Sequence, residues 1–126
     1  MDLANFDLKA NAEKGCEVKI LHPIDGTPTD IIVSVVGSDS SRYRNANIAS
    51  MVEFPFPEGA TVEQKASTLS KRAAVCLAAC VTGWEGLELD GEPYPYGEGK
   101  ALTLLNRFDW LADQLAEKIK VRENFG

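Results

Sequence analysis

The chain has 126 residues, 44% apolar and 25% charged, one domain's worth of ordinary globular composition, which excludes a disordered or fibrous polymer. Nineteen acidic residues against thirteen basic give a net charge of -6, and the basic residues are scattered, so direct nucleic-acid binding through a phosphate-neutralising stripe is excluded. The longest uninterrupted apolar run, Ala73 to Val81, has nine residues, about half of what a membrane crossing needs, and no membrane partner is expected.

At its start, Met1-Asp2-Leu3-Ala4-Asn5 lacks the basic and then apolar regions of a signal peptide, which predicts a cytosolic protein. Residues 1–15 hold Leu3, Phe6 and Leu8 as their only large apolar groups and read as an N-terminal arm of uncertain order; residues 16–126 read as a single domain. Cys16, Val18 and Ile20 alternate with Glu17 and Lys19, and Ile31 to Val36 is rich in β-branched residues. These are strand patterns, the second apolar enough to be covered on both faces. The link from His22 to Asp30 contains two prolines and Asp25-Gly26, and it is too short for a crossover helix, so an antiparallel hairpin is predicted.

Gly37-Ser38-Asp39-Ser40-Ser41 offers oxygen side chains to the free N–H groups of a helix start, predicting a helix from about Ser40 to Val52 that stops before the prolines of Phe54-Pro55-Phe56-Pro57. Thr61-Val62-Glu63-Gln64 fits a capping box. The helix it opens, Thr61 to Val81, sets Val62, Ala66, Leu69, Ala73, Cys76, Cys80 and Trp84 at steps of three and four. Its second half is apolar all round, the mark of a central buried helix or of a subunit interface. From Trp84 to Tyr96 the glycines and prolines forbid a long helix, and Asp90-Gly91 suits a tight turn. A short helix from about Glu98 to Leu105 follows, and the last helix carries Leu104, Phe108, Leu111, Leu115 and Ile119 on one stripe. The expected class is α+β and helix-dominated, with a small antiparallel β-hairpin near the N-terminus packed with three to four α-helices.

Little in the sequence suits catalysis or a cofactor. Cys76 and Cys80 share a helix face, but no second cysteine pair and only one histidine, His22, are present to complete a zinc site. An odd count of three cysteines argues for reduced, buried thiols. His22 reads as a turn residue before Pro23, and Asp39, Asp90 and Glu92 as cap and turn residues without calcium-loop spacing. Gly91, Gly97 and Gly99 form no phosphate cradle. We expect no enzyme, no cofactor and no metal. Phe54 and Phe56, fixed between prolines, and Trp110, beside the stripe of the last helix, are the candidate partner or subunit contacts.

Thr82-Gly83-Trp84-Glu85-Gly86-Leu87, then Leu89-Asp90-Gly91 and Tyr94-Pro95-Tyr96, resemble the tail assembly chaperones of long-tailed bacteriophages, the lambda-like siphophage tail assembly protein family. The likeness continues through Leu102 to Leu105, Phe108 with Trp110, Gln114, and Arg122 with Phe125, and more weakly through Val33 to Val36, Gly37-Ser38-Asp39-Ser40 and Arg42-Tyr43-Arg44. Gly97-Glu98-Gly99-Lys100 departs from the family pattern, which has a hydroxyl or acidic N-cap there. The resemblance implies a chaperone in the infected host's cytoplasm that binds the phage tape measure protein, keeps it soluble during tail morphogenesis and is absent from the finished virion. It also implies that a longer, frameshift-extended form can exist as a further partner. A homo-oligomer is expected. The alternative reading is a minor structural tail or connector component retained in the virion.

Overall fold

A computed structural model describes residues 1–97 and 99–125. In it the alternating stretch becomes strand β1 (Cys16–Leu21), antiparallel to β2 (Pro28–Val35). Val18 and Ile20 point inward and are buried, whereas Glu17 and Lys19 are exposed, as a period of two requires. The connecting turn holds itself together. His22 Nδ1 accepts from the Ile24 N–H at 3.2 Å, and the Asp25 carboxylate accepts from the N–H and hydroxyl of Thr27 at 2.9 and 2.6 Å.

A third strand, β3 (Val81–Glu85), pairs antiparallel with the far side of β2, giving the order β1-β2-β3. Its presence corrects the helical stripe that included Trp84. Helix α3 (Val62–Cys80) ends at Cys80, and Val81 is already extended, with φ -78° and ψ 122°. Val81 and Thr82 are β-branched and Gly83 disfavours helix, so the open edge of β2 captures the segment. Leu87 then leads into a two-residue hairpin between β4 (Glu88–Leu89) and β5 (Glu92–Pro93). At its tip Asp90 and Gly91 take φ of 53° and 85°, the left-handed pair that a tight hairpin turn demands.

The capping box at Thr61 forms in both directions: its hydroxyl accepts from the Gln64 N–H at 3.2 Å, and its own N–H donates to Gln64 Oε1 at 2.9 Å. Helix α2 (Ser41–Glu53), capped by Ser40, lies along α3 as a helical hairpin. Arg42 Nε donates to the Ala79 carbonyl at 2.8 Å near the C-terminus of α3, where free carbonyls need a donor.

Helix α3 is not the buried centre that its apolar second half predicts, because it buries only Thr68, Cys76 and Cys80. The centre is α4 (Lys100–Arg107) and α5 (Asp109–Lys120), whose Ala101, Leu104, Leu105, Leu111, Leu115 and Ile119 share a core with Ile20, Val33 and Val35 of the sheet. Four of the eight residues in the apolar half of α3, Ala73 to Cys80, are alanine, and each alanine removes far less area from water than a leucine or isoleucine does. The single stripe expected from Leu104 to Ile119 is broken at Phe108, which at φ -121° and ψ 85° ends α4 and opens α5. Helix α4 follows Gly99, in the left-handed region and without a side-chain cap; the expected start at Glu98 lies outside the described residues.

Residues 1–15 have more order than their composition predicts. Asp7 caps helix α1 (Leu8–Lys14) by accepting from the Ala10 N–H at 3.0 Å. Ala12 is buried, and its carbonyl accepts from the Gly37 N–H at 3.0 Å. The Glu13 carboxylate accepts from the Ser41 N–H at the start of α2, which holds the Glu13 carboxyl below its ordinary value. Leu3 and Phe6, in the 3-10 turn Leu3–Phe6, stay exposed. No helix among the described residues is long and apolar enough to cross a membrane.

Candidate protein interface

The residues that carry the family resemblance are used inside the chain. Trp84 on β3 stacks on Tyr94, with centroids 5.9 Å apart, and meets Tyr96 edge-on at 5.1 Å. Its indole N–H donates to the Tyr94 carbonyl at 2.7 Å, so the ring is both packed and satisfied. Gly86 sits at φ 74°, where an added Cβ would lie 2.1 Å from the Asp30 carbonyl oxygen; only glycine fits. Asp90, at the hairpin tip, accepts from both terminal nitrogens of Arg107 at 3.2 and 3.1 Å, and this pairing holds the Asp90 carboxyl below its ordinary value.

The C-terminal part of the motif is equally absorbed. The Gln114 side-chain amide accepts from Leu21 N–H and donates to Leu21 carbonyl, both at 2.9 Å, occupying the end of edge strand β1 as a neighbouring strand would. Arg122 makes a two-pronged ion pair with Asp39 at 2.8 and 3.0 Å. Phe125 is buried against Gly37, where an added Cβ would lie 3.1 Å from its ring. The two halves of the resemblance, Gly37-Ser38-Asp39-Ser40 and Arg122 with Phe125, therefore meet in space.

Cys76 and Cys80 are buried free thiols and Cys16 is half-buried. Burial pushes the Cys80 thiol up to about 12, the opposite of what a nucleophile needs. Cys76 Sγ lies 3.9 Å from Asn47 Oδ1 and 4.0 Å from Ser50 Oγ. Among the described residues no group of His, Cys, Asp and Glu is placed to hold a metal ion.

Large apolar residues are exposed at Leu3 and Phe6 of the N-terminal turn, at Ile24 of the β1–β2 turn, and along the α2–α3 hairpin. Helix α2 is inside out. It buries Ser50, whose hydroxyl donates to the Asn47 carbonyl at 2.8 Å, and turns Ile48, Met51 and Val52 to solvent, Val52 at 79% exposure. Ile48 and Val52, one turn apart, lie opposite Ser50, and Met51 flanks them. Helix α3 leaves Val62 at 84% and Leu69 at 52% exposure. A helix of a soluble domain ordinarily buries its large apolar residues and exposes serine, and α2 reverses that order.

Of the contacts expected from sequence, Phe56 is 44% exposed and lies over the Arg72 guanidinium, 4.5 Å from its centroid. Arg72 Nε also donates to the Phe54 carbonyl at 2.9 Å, and Lys71 Nζ sits 6.0 Å from the Phe54 ring. The Phe54-Pro55-Phe56 loop is thus pinned to α3. Trp110 is half-buried against the core at the start of α5. The structure does not bring Trp110 together with the two phenylalanines.

A groove of about 680 Å³ runs between α3 and α5. Ala73, Ala74 and Leu77 form one wall, Ala112 and Ala116 the other, and Asp109 and Asp113 stand at its rim with Lys120 farther along α5. Sequence reading missed this site, although Ala112 and Ala116 at a spacing of four, facing a run of alanines on α3, were a visible signal. It also missed Ile48 and Val52, whose helical spacing opposite Ser50 was equally available, and Met51 beside them. No family model matches the chain, and no characterised protein or solved structure matches it.

Proposed function

We propose that the protein is a phage tail assembly chaperone that binds the tape measure protein and keeps it soluble in the host cytoplasm until the tail tube encloses it. The observation that carries this reading is the inverted helix α2, which exposes Ile48, Met51 and Val52 while burying Ser50. A long client with bare helical stripes needs a partner offering apolar surface on a scaffold that stays soluble. The net charge of -6 supplies the second property through mutual repulsion of loaded chaperones. The buried Cys80 thiol, pushed up to about 12, and the turn role of His22 agree with a binding rather than a chemical task.

Co-expression with a phage tape measure protein is the test. The chaperone is expected to co-purify with the tape measure and to raise its soluble yield. Failure of both would refute the reading, and detection of the chain at many copies in purified virions would make it a structural component instead.

A further inference from the structure

We infer that the groove between α3 and α5, together with the apolar stripe that extends from it along α3, receives one amphipathic helix of the client, oriented with its basic end at Asp109 and Asp113. The inference rests on the chaperone reading above and names its binding site. Val62, Ala66, Leu69, Ala73 and Leu77 follow one another at steps of three and four and so share one face of α3. The first four are exposed, and Ala73 and Leu77 already line the groove. From Val62 to Leu77 this track is about 22 Å long at about 1.5 Å per residue, the length of a four-turn helix. A small molecule could fill the groove but could not cover Val62 and Leu69 beyond it. The alanines on both walls let a partner backbone come close, as facing helices require.

Charge selects the occupant. Asp109 and Asp113 are exposed, one turn apart on α5, and neither has an ion-pair partner among the described residues. Lys120, at the other end of α5, is exposed and likewise has no ion-pair partner among them. The groove thus has an acidic end and a basic end, and a client helix basic at one end and acidic at the other fits in one direction only.

The test uses two labelled synthetic helices of about sixteen residues. They share an alanine and leucine stripe; one carries lysines at one end and glutamates at the other, and the second has glutamines in place of the lysines. Fluorescence anisotropy with the full chain is expected to show the lysine-bearing helix binding about five-fold tighter, the sum of two exposed ion pairs. The D109N/D113N variant should abolish that preference, and Ala73→Trp, at an exposed position, should block both helices without changing the thermal melt. Equal binding of the two helices, or undiminished binding to a folded Ala73→Trp variant, overturns the inference. So does a self-associated state that Ala73→Trp dissociates, because the groove would then hold a second copy. If the helices bind as expected and the tape measure does not co-purify, the chaperone reading fails and the site stands. If the tape measure co-purifies equally with Ala73→Trp, the site fails and the reading stands.

Discussion

The segment from Trp84 to Phe125 and the α2–α3 hairpin use their residues in opposite ways. The first is rich in residues that resemble a family motif, and nearly every one is engaged within the chain: Trp84 by Tyr94, Asp90 by Arg107, Gln114 by Leu21, Arg122 by Asp39. The second carries few such residues, buries a serine and leaves Ile48, Met51, Val52, Val62 and Leu69 in water. The difference teaches that the distinctive residues here define the scaffold, whereas the exposed apolar surface of the hairpin lies where the sequence is least distinctive.

Substitutions should separate the two regions, and the largest effects belong to the scaffold. Leu115→Ala empties a site that is 1% exposed and is expected to cost about 3 kcal/mol in chemical denaturation. Gly86→Ala should cost about 2 kcal/mol or more, because its Cβ would collide with the Asp30 carbonyl in a backbone conformation that alanine disfavours. Gln114→Ala removes both hydrogen bonds to Leu21 and should cost about 1 kcal/mol, since water replaces them in part. Leu69→Ser on the exposed face of α3 should move stability by less than about 0.5 kcal/mol while sharply reducing the recovery of co-expressed tape measure protein. A Leu69→Ser variant as unstable as Leu115→Ala would erase the distinction between the two regions.

Acid sharpens the same comparison. Glu13, Asp25 and Asp90 are each held below their ordinary carboxyl values by the groups they bond, Ser41, Thr27 and Arg107 respectively. A depressed folded value means that the unfolded chain takes up protons first. These contacts therefore stabilise the fold at neutral pH and lose that contribution as pH falls below the ordinary values of 4.5 for Glu13 and 3.8 for the two aspartates. The melting temperature should be level near neutrality and decline in that acidic range. Replacing Asp90 with Asn should shallow the decline.

Much of the scaffold was legible from local signals. The alternation at Cys16–Leu21, the Ser40 cap, the capping box at Thr61 and the Asp90-Gly91 turn are short-range chemistry, and each forms where the residues specify it. Strand β3 and the break at Phe108 were not legible, because both are decided by tertiary pairing: an open edge of β2 draws Val81–Glu85 out of the helical pattern. The rank of the helices was misjudged for a related reason. Hydrophobic character along α3 counts its alanines equally, whereas burial depends on side-chain area, which favours the leucines of α4 and α5. Among the candidate contacts, the Phe54 and Phe56 loop is pinned to α3 by Arg72, and Trp110 packs half-buried against the core. The α3–α5 groove needs two elements far apart in sequence to be placed side by side, so only its alanine spacing could be seen beforehand.

Hydrogen–deuterium exchange on the free chain and on the chain mixed with the tape measure protein addresses the central claim most directly. Binding should slow exchange across residues 62–77 of α3 and 109–116 of α5 and leave residues 84–97 unchanged. Slowing confined to residues 84–97, with α3 and α5 exchanging as in the free chain, would contradict the account.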